Sequence, residues 1–145
     1  MKKSLFLGLA VLVTLGAVSC SSKTVSDDAN QLPATVKKEV KANFKTDVSK
    51  VVIEKNSVGA DEYDVYLSDG AVVKYEGNEW EEVKAAMGES VPEGYVIKPI
   101  SDYVTKNQTG AKIVKIERDK KGYEVKLSNG VEIKFDTNGN FVKLD

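Results

Sequence analysis

Apolar positions change period along this chain in a set order. Val36, Val40 and Phe44 fall at i, i+4 and i+8, one stripe of a helix whose other positions carry Lys37, Lys38, Glu39 and Lys41. Leu32-Pro33 opens that helix, since proline suits a first helical position where its missing N–H is not needed. The stripe ends near Phe44, and Val51-Val52-Ile53 reads as a strand. The segment 58–62 carries Gly and Asp and reads as a turn. From Tyr63 the period is two: Tyr63, Val65 and Leu67 alternate with Asp64, Tyr66 and Ser68, a strand with one buried face. Asp69-Gly70 predicts a tight hairpin turn of type I′, and Ala71, Val73 and Tyr75 form the returning apolar face. Gly77-Asn78 turns the chain into a fourth strand at Glu79–Val83, with Lys84–Met87 as a candidate helical continuation.

The whole pattern then recurs. Tyr63-Asp64-Val65-Tyr66-Leu67-Ser68-Asp69-Gly70 returns as Tyr123-Glu124-Val125-Lys126-Leu127-Ser128-Asn129-Gly130, and the six residues from Ala71 return from Val131. Six of these fourteen pairs are identical and five are conservative, which makes the match an internal repeat rather than chance. Val91-Pro92 aligns with Leu32-Pro33, and Tyr95, Pro99 and Tyr103 align with Val36, Val40 and Phe44. Pro99 inside that second stripe predicts a broken helix or two short pieces. Ile113–Ile116 is a strand, Lys120-Lys121-Gly122 a turn, and Phe141–Leu144 a last strand. Each unit is therefore a helix followed by a four-stranded antiparallel meander. Two units predict an α+β fold of about eight strands, with the helices on one face of a continuous antiparallel sheet and polar groups on the other. The units divide as 32–87 and 88–145.

The first twenty residues are a targeting segment, with Lys2 and Lys3 ahead of the apolar stretch Leu5–Leu15. Ala17-Val18-Ser19 precedes Cys20, the one cysteine of the chain. Two processing routes fit: a lipobox whose Cys20 is lipidated, or cleavage after Ser19 by the small-x-small rule. A lone cysteine at that position favours lipidation, because an odd thiol is a liability in an exported protein. The polar segment 21–31 reads as a flexible tether. Without Lys2 and Lys3, 19 basic residues face 22 acidic ones, a net charge of −3. That balance is unlike a nucleic-acid surface. The chain has no histidine, which excludes Ser-His-Asp, Cys-His and His-metal chemistry. No cofactor is indicated.

With the leader ending at Cys20, the Pro-started helix, the duplicated Tyr-x-Val-x-Leu-Ser-Asp/Asn-Gly hairpin and the closing Phe-Asp-x-Asn-Gly-Asn-Phe at 135–141, the chain resembles the PepSY-like, beta-lactamase-inhibitor-protein-like exported proteins of Bacteroidetes. The resemblance covers both units. It implies a tandem α+β repeat and no catalytic residues. One departure is plain: the beta-lactamase inhibitors are disulfide-bridged, and a single cysteine cannot be.

Where the copies agree, residues serve the fold; where they differ, one copy is free to serve something else. On the polar face the second unit carries Glu124, Lys126, Glu132 and Lys134, an opposite-charge set, where the first carries Asp64, Tyr66, Val72 and Lys74. Tyr66 and Val72 thus stand where the sister copy is charged, and an exposed aromatic on a rigid sheet is a binding anchor. Trp80 aligns with Phe141, which suits core packing, or an interface role in which Trp is enriched. Tyr66, Val72, Lys74 and Trp80 are the candidate ligand-binding residues, and Cys20 the lipidation site. Asp136–Asn140 begins like a calcium loop but lacks its closing Glu and reads as a turn. The carboxylate groups 61–64 and 79–82 read as solvating charge.

Two functions remain in view. One is a non-enzymatic exported binding module that presents its sheet face to a protein, peptide or envelope ligand, with inhibition as one outcome. The other is a structural or self-associating component of the cell envelope. Both place the chain in the periplasm or envelope, lipid-anchored to the outer membrane, with the N-terminal lipid as its one membrane contact.

Overall fold

The computed structural model describes residues 21–145. Nine strands form one antiparallel sheet in strict chain order: β1 Ser22–Ser26, β2 Val48–Lys55, β3 Glu62–Leu67, β4 Val72–Glu76, β5 Glu79–Lys84, β6 Ile113–Asp119, β7 Gly122–Leu127, β8 Glu132–Phe135 and β9 Phe141–Leu144. Helix α1 spans Ala34–Asn43 and α2 spans Lys98–Asn107, each preceded by a 3-10 turn, at Ala29–Gln31 and Glu93–Tyr95. Val36 and Val40 of α1 and Ile100 and Val104 of α2 join the inward residues of the strands in one apolar core.

The expected flexible tether 21–31 is not one. Ser22–Ser26 pairs antiparallel with β2, Val25 standing opposite Val52, and Asp28 caps the 3-10 turn by accepting from the Asn30 N–H. This strand adds a ninth to the eight expected. Apart from Val25 its side chains are polar, and none is buried, so it carries no alternation to read; what holds it is the ladder beside β2.

The duplicated hairpins also differ from expectation. Leu67 N–H donates to Ala71 O and Gly70 N–H to Leu67 O; Leu127, Val131 and Gly130 repeat both bonds. Among the described residues φ is positive at glycines alone, so Asp69 and Asn129 cannot take the first place of a type I′ turn. The loops are three-residue turns closed by Gly70 and Gly130, with Asp69 and Asn129 accepting from the N–H of Ala71 and Val131. The repeated serine also gains a role. Ser68 binds Asp47 O through its N–H and hydroxyl, and Ser128 binds Lys112 through its N–H and Oγ, which ties each hairpin to the entry of the strand beside it.

Pro99 lies in the first turn of α2, so the second helix is a 3-10 turn followed by one unbroken helix. Pro33 caps α1 from just outside it. The core residues that correspond are therefore Val36 with Ile100 and Val40 with Val104, not Val36 with Tyr95. Asn43 and Asn107 confirm the frame, each donating back to the carbonyl four residues earlier, Glu39 and Tyr103. Lys84–Met87 does not become helical: Ala85 N–H donates to Val114 O and extends the β5–β6 ladder. Asp136 accepts from the N–H groups of Asn138 and Asn140 and from Asn140 Nδ2, a saturated turn as expected.

The two units are joined through β5 and β6. Val83 stands opposite Ile116, both fully buried. Arg118, the chain's one arginine, reaches from β6 to β5: its Nε and Nη2 donate to Trp80 O at 3.1 and 2.8 Å, and its guanidinium lies 4.4 Å over the Trp80 ring. Tyr95 meets Trp80 edge-on at 5.6 Å, and its hydroxyl lies 3.2 Å from that of Tyr75. Burial raises the pKa of both phenols, that of Tyr95 to about 12, so the pair stays neutral.

Candidate functional site

Inward residues alternate along every strand with residues of the opposite face, which the helices leave open. Two cross-strand rows on that face hold the candidate residues. The first runs Lys50, Tyr66, Val72, Lys84, Lys115, Lys126 over β2 to β7. The second runs Val52, Asp64, Lys74, Glu82, Glu117, Glu124 over the same strands.

The second unit closes its part of this face with ion pairs. Lys126 meets Glu132 at 2.8 Å and Lys134 meets Glu124 at 3.4 Å. Across the junction Glu82 is held by Lys115 at 3.2 Å and Lys74 at 3.4 Å, and Lys115 also reaches Glu117 at 2.6 Å. Burial works against ionisation of Glu82, but bonding with Glu117 and Lys115 and the charges of both lysines outweigh it and hold its pKa below the usual carboxylate range. Lys74, Glu82, Glu117, Glu124 and Lys134 line an open groove of about 640 Å³. Its acidic corner is Glu81, whose pKa is raised by burial and by its contact with Glu76.

The first unit is built differently at the same positions. Tyr66 lies directly opposite Val72 and Lys50, and Lys50 Nζ sits 4.0 Å from the centre of its ring, a cation–π contact. Val52, one row away, is buried on this face although the alternation points it outward, and Val25 of β1 stands beside it 64% exposed. Lys84, next to Val72, has no carboxylate within 4.0 Å among the described residues. The result is an aromatic and aliphatic patch of Val25, Val52, Tyr66 and Val72, edged by the ammonium groups of Lys50 and Lys84.

Of the four candidate ligand-binding residues, the structure brings Tyr66, Val72 and Lys74 together on the open face. Trp80 is not with them. It is 8% exposed in the core on the helix side, beneath Arg118 and against Tyr95. Cys20 lies outside the described residues. Val25, Val52, Lys50 and Lys84 were missed as site residues. Alternation from Val51 would have put Lys50 and Val52 on the open face; Val25 depends on the unexpected β1. Among the described residues no group of three His, Cys, Asp or Glu side chains could hold a metal ion.

The model of the family described as "Putative beta-lactamase-inhibitor-like, PepSY-like" matches residues 17–60 and again 61–143. The chain belongs to the PepSY-like family. Solved structures agree with this family's tandem α+β fold. A "putative periplasmic protein of unknown function" from Bacteroides vulgatus is 38% identical, with a TM-score of 0.79 over 86% of this chain and 99% of that one. A "putative calcium-regulated periplasmic protein" from Bacteroides thetaiotaomicron is 35% identical, with a TM-score of 0.77 over 85% and 96%. A second putative periplasmic protein from Bacteroides vulgatus is 36% identical, with a TM-score of 0.75 over 90% and 99%. No curated protein matches. Nothing in these PepSY-like relatives points to catalysis.

Proposed function

We propose that this PepSY-like chain is a non-enzymatic binding module of the periplasm, held to the outer membrane by lipid at Cys20, which captures a protein or peptide on the open face of its first unit. One observation carries the reading. The two copies share hairpin, bulges and core, yet the second neutralises its open face with the Lys126–Glu132 pair while the first sets Tyr66 beside Val72 at the same two positions. A fold needs only one of these solutions, since charged pairs and aromatic–β-branched pairs stabilise a sheet about equally, roughly 0.2–1 kcal/mol each. Apolar surface left on the solvent side is what a docking partner covers. The unpaired Lys84, and Lys50 on its ring, suit a partner with carboxylates beside an apolar anchor.

The exchange Tyr66→Lys with Val72→Glu tests this by giving the first unit the second unit's pair. Its thermal midpoint is expected to stay within a few degrees of wild type, while in-cell crosslinked complexes disappear. A folded double variant with undiminished complexes refutes the site. Lipidation has its own test: Cys20→Ser is expected to move the chain from the membrane fraction to the soluble periplasm, and continued membrane retention contradicts it.

A further inference from the structure

The β4–β5 and β8–β9 pairs are the same construction. Both carry a bulge, so that Trp80 faces Tyr75 as Phe141 faces Phe135, and Val83 faces Val73 as Leu144 faces Ile133. What differs is the neighbour. β5 is followed by β6, and Trp80 and Val83 are 8% and 0% exposed; β9 is an edge, and Phe141 and Leu144 are 44% and 54% exposed. Tyr103 stacks on Phe141 at 5.0 Å, yet among the described residues no cation lies over Phe141 as Arg118 lies over Trp80. At the bulge Val142 replaces the acidic Glu81, which adds a third exposed apolar side chain to this strand.

The edge also has free backbone. Asp145 N–H donates to Glu132 O at 3.0 Å, so alternation turns the N–H and C=O of Leu144 away from β8. The opposite edge is protected. β1 is polar apart from Val25, carries Lys23, and its Ser26 Oγ accepts from Asp28 N–H and Gln31 Nε2 at 3.0 Å each. Among the described residues, then, the β1 edge has the polar features that protect a sheet edge and the β9 edge does not.

We infer that the β9 edge is a strand-addition site that takes an extended segment of a partner protein with the chemistry of β6: an aliphatic residue opposite Leu144 and, two positions later, an arginine reaching the Phe141 carbonyl and ring. The β5–β6 junction within the chain is the template, because Ile116 and Arg118 make those contacts to Val83 and Trp80. A second copy does not supply this pattern: its edges are β1, with no aliphatic–x–Arg sequence, and β9 itself, and its one arginine is committed inside its own sheet.

The test titrates the full chain in detergent micelles with a synthetic peptide of residues 112–119, followed by amide chemical shifts. Saturable binding is expected, with shifts centred on Phe141–Asp145 and on β8. Alanine in place of the peptide's arginine should weaken it at least about tenfold, as loss of a charge-assisted hydrogen bond does. Leu144→Lys in the protein should abolish binding without lowering the melting temperature, because Leu144 is half exposed. The peptide comparison on unaltered protein keeps the test valid if that variant misfolds. No saturation at millimolar peptide, or equal binding of a scrambled peptide, overturns the inference. So does concentration-dependent self-association lost in Leu144→Lys and not displaced by the peptide, which would assign the edge to a second copy.

Discussion

Gly122→Ala should destabilise the fold by about 3 kcal/mol or more, and chemical denaturation will measure it. Lys120 and Lys121 close the β6–β7 hairpin in two residues, with Asp119 Oδ1 accepting from the N–H groups of Lys121 at 2.7 Å and Gly122 at 3.1 Å. That tight return sets Gly122 at φ +144, which side chains rarely adopt. An added Cβ would overlap the Phe135 carbonyl oxygen and lie 2.7 Å from the Asp136 carbonyl carbon, so backbone rather than a flexible side chain must move. The first unit has Glu62 at this position, after a longer turn, and Glu62 is exposed. Glu62→Ala should therefore change stability by less than about 0.5 kcal/mol. Comparable losses at both sites would mean that the strain at Gly122 is misassigned.

Arg118→Ala should cost about 2–4 kcal/mol, read from the same denaturation curves. The guanidinium makes two charge-assisted hydrogen bonds to the Trp80 carbonyl and covers the indole, and its loss strips both from the seam between the units. The ion pair to Glu79 adds little, since Glu79 is 80% exposed. Glu79→Ala should accordingly be near neutral. Arg118→Lys should recover only part of the loss, because an ammonium lacks the planar fork that bonds the carbonyl while stacking on the ring. Full rescue by lysine would show that charge alone, and not this geometry, holds the seam.

What could be read from the sequence, and what could not, follows the physics of each element. The hairpin strands were legible because their inward residues repeat every two positions and a glycine ends each turn. Strand β1 was not, because an edge strand lying outside the core needs no apolar face; Ser22–Ser26 is held by its ladder to β2. The helix correspondence slipped because the two prolines are not equivalent: Pro33 follows the first 3-10 turn and stands at the N-cap of α1, whereas Pro92 precedes the second 3-10 turn. The place of Arg118 over Trp80 carries no signal in the residue pattern, because it depends on which residues the β4–β5 bulge sets opposite one another. Trp80 is in the core, the packing role that its alignment with Phe141 suits. Tyr66 and Val72 were found because the chain carries its own control, a second copy in which those two positions are Lys126 and Glu132.

The most direct measurement of the central claim uses that control. A photo-crosslinking amino acid is placed in cells at position 66 in one strain and at position 126 in another, two sites on equivalent strands of the same sheet face. If the first unit binds and the second is scaffold, irradiation yields a discrete adduct from position 66 and none from position 126. Equal adducts from both positions, or an adduct from 126 alone, would contradict the account.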